Sequence, residues 1–178
     1  MENKQKLRAR YRKIRKNISV GRKIPAENSA LEFIDQLMGK NEIILSYANF
    51  GDEFNTENIN RLIALKGKLA LPKITGNSLT IYLVDDPQRQ TAIQENGMRE
   101  PIPTLCKEID PEMIGSALIP AIAFDRNGHR IGYGKGFYDR FLAGKNISTY
   151  GIGFKEQLTA ECIPVTPEDL SVKALALF

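Results

Sequence analysis

The chain of 178 residues has no Trp, one His and two Cys. A single imidazole leaves no His-based metal site. Cys106 and Cys162 lie far apart, and neither belongs to a CxxC pair. They form no zinc pattern and suit a reducing cytoplasm. No stretch approaches the roughly 18 uninterrupted apolar residues of a transmembrane helix. The N-terminus also lacks the apolar core of a secretory signal. With 42% hydrophobic and 26% charged residues, the composition excludes a disordered, collagen-like or coiled-coil chain. The length suits one domain over residues 1–178 with a core of its own. There is no internal repeat or linker.

Acid is scarce at one end. Residues 1–24 hold ten Lys/Arg and one acid, Glu2, whereas the rest of the chain holds 15 bases and 20 acids. A mildly acidic domain thus carries a basic N-terminal segment that calls for an anionic partner. The segment is periodic: Leu7, Tyr11, Ile14 and Ile18 form one stripe of a helix, so it should dock on a core. Lys6, Arg12, Lys13 and Arg15 are expected on its solvated face. A mitochondrial presequence would also be Arg-rich and amphipathic, but Gly21 and Pro25 lead directly into a second helix without cleavage-like composition.

That second helix is expected over Ala26–Met38, with Leu31, Phe33, Ile34 and Leu37 inward and Gly39 as its stop. Glu42–Ala48 reads as a buried strand. Thr56 reads as the N-cap of a helix carrying Ile59, Leu62, Ile63 and Leu65. Lys68–Leu71 reads as a strand closed by Pro72, and Ser78–Val84 as an alternating strand. Residues 85–112 contain four prolines and read as a long ordered loop with one helical turn. Ala117–Phe124 is the most apolar run and reads as a central strand. Tyr138–Leu142 opens a helix, and Ile147–Phe154 and Val172–Phe178 read as strands. Alternating strands and helices indicate a layered α/β fold.

Four of the fourteen glycines, Gly128, Gly132, Gly134 and Gly136, fall within nine residues between the central strand and a helix. Such spacing lets successive backbone N–H groups face one concavity at a helix N-terminus. Arg130 and Lys135 add full positive charge, and Asp139 could hold a Mg²⁺ bridging phosphate oxygens. These are the parts of a polyphosphate cradle. The spacing matches neither a Walker A loop nor a Rossmann GxGxxG. A tight glycine turn with surface charges is the plainer alternative. His129 is expected to be a solvated surface residue, and the two cysteines buried or incidental. Tyr47, Phe50 and Phe54 fit core packing as well as a ring-binding wall.

The segment PAIAFDRNGHRIGYGKGFYDRFL closely resembles the signature of the 5-formyltetrahydrofolate cyclo-ligase family. Further resemblances span the chain: Lys4 with Arg8, Asp52-Glu53 with Thr56, Leu71-Pro72, Glu100-Pro101, and Gln157, Pro164 and Asp169. The resemblance implies a three-layer α/β/α sandwich around a mixed, mainly parallel sheet, akin to ribose-5-phosphate isomerase and the CoA-transferases. It implies an enzyme that uses ATP and Mg²⁺ to close 5-formyltetrahydrofolate to 5,10-methenyltetrahydrofolate. By the same resemblance Lys4 and Arg8 would reach ATP together with Arg130, Gly132, Tyr133, Gly134, Lys135, Gly136, Phe137 and Tyr138. Lys135, Arg130 and Tyr138 would be catalytic. Glu53, with Tyr133 to Phe137, would hold the folate, and Asp139 and Asp169 the Mg²⁺. Phe137 stands where many members have Tyr, Lys135 where Gly is commoner, and Lys173 where a second C-terminal acid is often seen. A monomeric cytoplasmic enzyme with small-molecule substrates is expected, without nucleic acid or membrane partners. The competing readings are a nucleic-acid-binding module built on the basic helix and a catalytically inactive nucleotide- or folate-binding relative.

Overall fold

The structure, a computed structural model, describes residues 3–38 and 42–178. Helix α1 (Lys4–Lys16) begins where the Asn3 side chain accepts the Lys6 amide at 2.9 Å. Helix α2 (Val20–Leu37) starts six residues before the expected Ala26, with Pro25 inside it. As the sixth residue of the helix, Pro25 forfeits the bond to the Gly21 carbonyl and its ring crowds that carbonyl, a cost offset by the packing of Ala26, Ala30 and Ile34 on the core. The expected stop, Gly39, lies outside the described residues.

Seven strands form the main sheet: β1 (Ile43–Leu45), β2 (Leu69–Thr75), β3 (Ser78–Leu83), β6 (Lys107–Glu108), β7 (Ile114–Ile119), β10 (Ser148–Gly153) and β11 (Ala174–Leu177). Their order is β11-β10-β7-β1-β2-β3-β6. The neighbours from β11 to β2 run parallel, and β3 and β6 pair antiparallel. The sheet is therefore mixed and mainly parallel. Pro72 does not close β2. It sits opposite Ile81, whose carbonyl is turned toward Ile109 on the far side. The missing proline N–H thus points away from β3, past the last residue that β1 pairs, and no ladder bond is lost.

On one face α2 and α3 (Glu57–Leu65) cover Ile44, Leu69, Leu71, Leu118 and Ile152. On the other, Phe141 and Leu142 of the short α4 (Phe137–Leu142), with Val172, cover Leu45, Ala70, Ala117 and Ile119. Thr56 stands at the N-cap of α3, but its hydroxyl donates to the Tyr47 carbonyl at 2.6 Å. The Asn55 side chain accepts the Glu57 amide at 3.0 Å instead.

Two of the expected irregular or continuous stretches differ. Residues 85–112 contain a hairpin of β4 (Thr91–Ile93) and β5 (Arg99–Pro101), plus β6 and two 3-10 turns. The apolar run 117–124 is broken at Pro120, which separates β7 from a second hairpin, β8 (Ala123–Phe124) with β9 (Arg130–Ile131). Against that hairpin α1 packs Leu7 and Tyr11, beside Ile122, Ala123, Ile131 and Ile163.

Candidate active site

β1 lies between β7 and β2, at the point where the strand order changes direction. In open α/β sheets the crevice at the carboxyl ends of such strands is where ligands bind. Here a cavity of about 570 Å³ opens beyond the ends of β1, β2 and β7. Its walls include Lys4 and Arg8 of α1, Glu53 after β1, and Arg130 of β9. They also include the whole loop from Gly132 to Gly136, then Phe137, Tyr138, Asp139 and Asp169. Every site residue named from the sequence thus lines one space.

The turn that leads into β9 and the loop is fixed by one carboxylate. Asp125, 1% exposed, accepts the amides of Asn127 (2.9 Å), His129 (3.0 Å) and Ile163 (2.9 Å). Burial would raise its carboxyl, but these bonds prevail and hold it below the ordinary range. His129 is not a free surface residue: its Nδ1 lies 3.2 Å from Asp125 Oδ2 because the turn folds the ring back onto that carboxylate. Gly128 has φ +80, and a Cβ there would stand 2.5 Å from the Val172 carbonyl. A side chain at this position is excluded twice over.

The loop amides are free. No backbone N–H from Gly132 to Gly136 donates to another protein group among the described residues. Arg8 Nε donates to the Gly132 carbonyl at 2.9 Å, and its guanidinium lies against Gly134, whose φ is +93. Lys135 is exposed and has no carboxylate partner among the described residues. Helix α4 is only six residues long, so loop amides and cations carry the positive character here.

The acids fall into two corners. Asp139 Oδ1 accepts from Arg130 Nη2 at 2.7 Å and from the Leu170 amide at 3.1 Å. Arg130 also donates to the Leu170 carbonyl. The neighbouring Asp169 accepts from Lys4 Nζ at 2.5 Å and from the Thr166 amide at 2.6 Å. Burial opposes ionisation, but Lys4 and Thr166 hold the Asp169 carboxyl below its usual range. Each aspartate keeps one oxygen, Asp139 Oδ2 and Asp169 Oδ1, outside these bonds. No group of three His, Cys, Asp or Glu side chains poised for a metal occurs among the described residues. Two carboxylates with a spare oxygen each fit Mg²⁺, which takes one or two carboxylates and completes its shell with water and substrate phosphates.

At the other corner, Glu53 Oε2 accepts the Phe50 amide at 2.8 Å. Burial, helped by the nearby Asp52 charge, pushes this carboxyl above its ordinary range, and the Phe50 amide, Arg15 and the Tyr133 hydroxyl only partly oppose that. Tyr47, Phe50, Tyr133 and Tyr138 surround it in the cavity wall. Burial also drives the Tyr47 and Tyr138 phenols well above their normal range, so both stay protonated.

Several residues of the site are not evident from spacing. Arg15, expected in solvent, is 1% exposed and is the largest fully buried side chain. Leu7, Tyr11 and Arg15 recur every four residues, so the apolar stripe itself held the signal. Its charge is matched by Asp52, which it contacts through Nη2 (2.9 Å) and Nε (3.1 Å). Lys6, Arg12 and Lys13 are exposed as expected, with Arg12 lying 5.2 Å over the Tyr133 ring. Glu100, 7% exposed, also lines the cavity and pairs with Lys73 at 2.9 Å.

Taken together, an α/β sheet with a cationic, glycine-looped cleft at its switch point defines a small-molecule enzyme. The family model for 5-formyltetrahydrofolate cyclo-ligases matches residues 1–177, and the chain belongs to that family. The 5-formyltetrahydrofolate cyclo-ligase of Haemophilus influenzae is 31% identical over 167 residues, covering 88% of this chain and 87% of that protein. The enzyme of the same name from Mycolicibacterium smegmatis is 40% identical over 83 residues, 44% of this chain and 41% of that one. The NMR structure of Aquifex aeolicus 5,10-methenyltetrahydrofolate synthetase superposes with a TM-score of 0.84 at 25% identity, covering 97% of this chain and 88% of that chain.

Proposed function

We propose that this chain closes 5-formyltetrahydrofolate to 5,10-methenyltetrahydrofolate with conversion of ATP to ADP and phosphate. The observation that carries the reading is convergence: Lys4, Arg8, Lys135 and the unpartnered loop amides meet Glu53 in one cavity. A formamide is a poor electrophile because its nitrogen lone pair is delocalised. The formyl oxygen therefore attacks the γ-phosphorus, which turns that oxygen into a phosphate leaving group. N10 then attacks the formyl carbon and gives up its proton to water, the five-membered ring closes, and phosphate departs with the C–O bond.

Phosphoryl transfer needs positioning and charge neutralisation more than a nucleophilic side chain. Lys135 stands free to meet the transferring phosphoryl group, and Arg8 and the loop amides orient the remaining phosphates. Arg130 fixes Asp139, and the protonated Tyr138 hydroxyl is available only as a donor or acceptor of hydrogen bonds. Glu53 offers two carboxylate oxygens to the paired N–H donors of a pterin, with aromatic rings on either side. Asp139 and Asp169 would hold Mg²⁺, which when bound supplies positive charge to phosphate oxygens.

The basic helix finds its acids within the chain: Lys4 with Asp169, Arg10 with Glu161, Arg15 with Asp52 and Arg22, at the start of α2, with Glu156. That distribution favours a docked helix over a nucleic-acid-binding surface. The test is to mix the protein with 5-formyltetrahydrofolate and Mg-ATP and follow methenyl absorbance and ADP release together. Appearance of both in equal amounts is the expected result. ADP release without the methenyl product, or neither, rejects the reading.

A further inference from the structure

Arg8, Arg12 and Arg15 leave α1 on one side and all reach the glycine loop, but in different ways. Arg8 holds the Gly132 carbonyl and Arg12 lies over the Tyr133 ring. Arg15 alone reaches further. Its Nη2 donates both to the Tyr133 hydroxyl at 2.9 Å and to Asp52 Oδ1 at 2.9 Å. Its Nε donates to Asp52 Oδ2 at 3.1 Å and its Nη1 to the Ala121 carbonyl at 3.1 Å. One guanidinium therefore joins three separate stretches: the turn after β1, the segment after β7 and the glycine loop.

Asp52 precedes Glu53, and Glu53 is itself fixed by the Phe50 amide. Tyr133 is 45% exposed, so packing alone does not immobilise it. Its hydroxyl is shared between Arg15 and the Glu53 carboxylate, and its ring lies under Arg12. The planar fork of arginine matches the two oxygens of Asp52 and leaves an N–H for the phenol, an arrangement a lysine cannot reproduce.

We propose that Arg15 is a positioning residue that sets the distance between the Glu53 turn and Tyr133, and so the width of the slot in which the pterin ring of the substrate lies. The proposal rests on the reading of the cavity given above. Arg15 does not line the cavity; it acts through Asp52 and Tyr133. It therefore governs the folate side of the cavity and leaves the phosphate side to Lys4, Arg8 and Lys135. Arg15→Lys keeps the charge but loses the fork, and a small shift in such a slot is worth a large factor in rate and affinity.

The test compares wild type, Arg15→Lys, Tyr133→Phe and the double variant, with KM for 5-formyltetrahydrofolate and for ATP measured separately. Arg15→Lys should raise the folate KM about tenfold while the ATP KM moves less than about threefold. The double variant should lose little more than Arg15→Lys alone, because the two changes break one connection. Their effects on thermal unfolding should be less than additive for the same reason, so the split between the folate and ATP KM values separates a positioning role from a structural one. Equal rises in both KM values, or additive losses in folate kcat/KM, would reduce Arg15 to a structural residue and overturn the proposal. If Arg15→Lys does not fold, Tyr133→Phe decides alone: an unchanged folate KM overturns the proposal. A wild-type protein without turnover rejects the functional reading itself, and this inference with it.

Discussion

Glu53 and Asp169 face the same cavity, yet their surroundings push them in opposite directions. Glu53 is walled by aromatic rings, has one amide donor and is displaced upward by burial. Asp169 overcomes the same opposition from burial because Lys4 and Thr166 donate to it directly. Asp139, beside it, is tied to Arg130. Residue type does not distinguish these carboxyls; their partners do. The aspartate corner is rich in charge of both signs and suits a multiply anionic ligand with a bound cation. The glutamate corner is walled by aromatic rings and suits a flat ring carrying N–H donors. The glycine loop runs between them, from Tyr133 at one corner to Asp139 at the other.

Lys135 is the sharpest probe of this division. Lys4 and Arg130 are matched by Asp169 and Asp139, whereas Lys135 has no acid partner among the described residues. Its charge is thus left unneutralised by the acids of the described residues. Lys135→Ala should lower kcat about a hundredfold, equivalent to roughly 3 kcal/mol of transition-state stabilisation, with unfolding unchanged. Steady-state rates within about threefold of wild type would remove Lys135 from the phosphoryl site.

Asp139→Asn breaks the aspartate corner and leaves the other intact. Asparagine keeps an acceptor for the Leu170 amide but removes the charge facing Arg130, whose side chain is only 6% exposed. Stability to denaturant should fall by about 2 kcal/mol, as for other hydrogen bonds to a buried charge. The rate should also require more Mg²⁺, with partial rescue by excess. A normal unfolding midpoint would show that the Arg130 pair contributes nothing. An unchanged magnesium titration would remove Asp139 from the metal site.

The two corners were unequally legible in the sequence. Periodicity places α1 on a core through Leu7 and Tyr11, and the glycine spacing marks a candidate anion cradle. Neither places Lys4 beside Asp169, because a contact across 165 positions leaves no trace in local spacing. Those assignments came from resemblance across the chain. Arg15 was misread because charge alone suggested solvent, although its position continued the buried stripe. The β4–β5 hairpin was hidden by the prolines of residues 85–112, Pro101 among them, which look like breakers. In fact Gly97, at φ +80, makes the turn and Pro101 occupies the end of a short two-stranded ribbon. Pro72 was misread for the same reason: a proline ends a strand only where its N–H side would have been paired.

Glu53→Gln acts at the opposite corner. The amide preserves shape but offers one acceptor in place of two charged ones, leaving a pterin donor poorly matched. The folate Kd should weaken about tenfold, with binding of a non-hydrolysable ATP analogue little changed. Isothermal titration of each ligand measures the two effects separately. Equal weakening of both would place Glu53 outside the folate corner.

The smallest effect is the most direct measure of the contrast, since it needs no substrate. Asp169 has a folded pKa below its unfolded one, so its contribution to stability is complete above about 4, the ordinary aspartate value, and is lost as pH falls through the depressed value. Glu53 has the reverse displacement. Its contribution is complete below about 4.3, the ordinary glutamate value, and is lost as pH rises through the elevated value. Acidification from neutrality therefore relieves Glu53 first and weakens Asp169 afterwards. Lys4 and Asp169 are about 30% exposed, which limits their pair to less than about 1 kcal/mol. Asp169→Asn should accordingly flatten part of the acid limb of stability against pH, the remainder being due to Asp52 and Asp125, whose carboxyls are also held low. Glu53→Gln should leave that limb intact and remove the small loss on the neutral side. Denaturant unfolding across the acid range measures both. If the two variants alter the same limb, the carboxyls are not in opposed environments, and the division of the cavity into an ionic and an aromatic-walled corner fails.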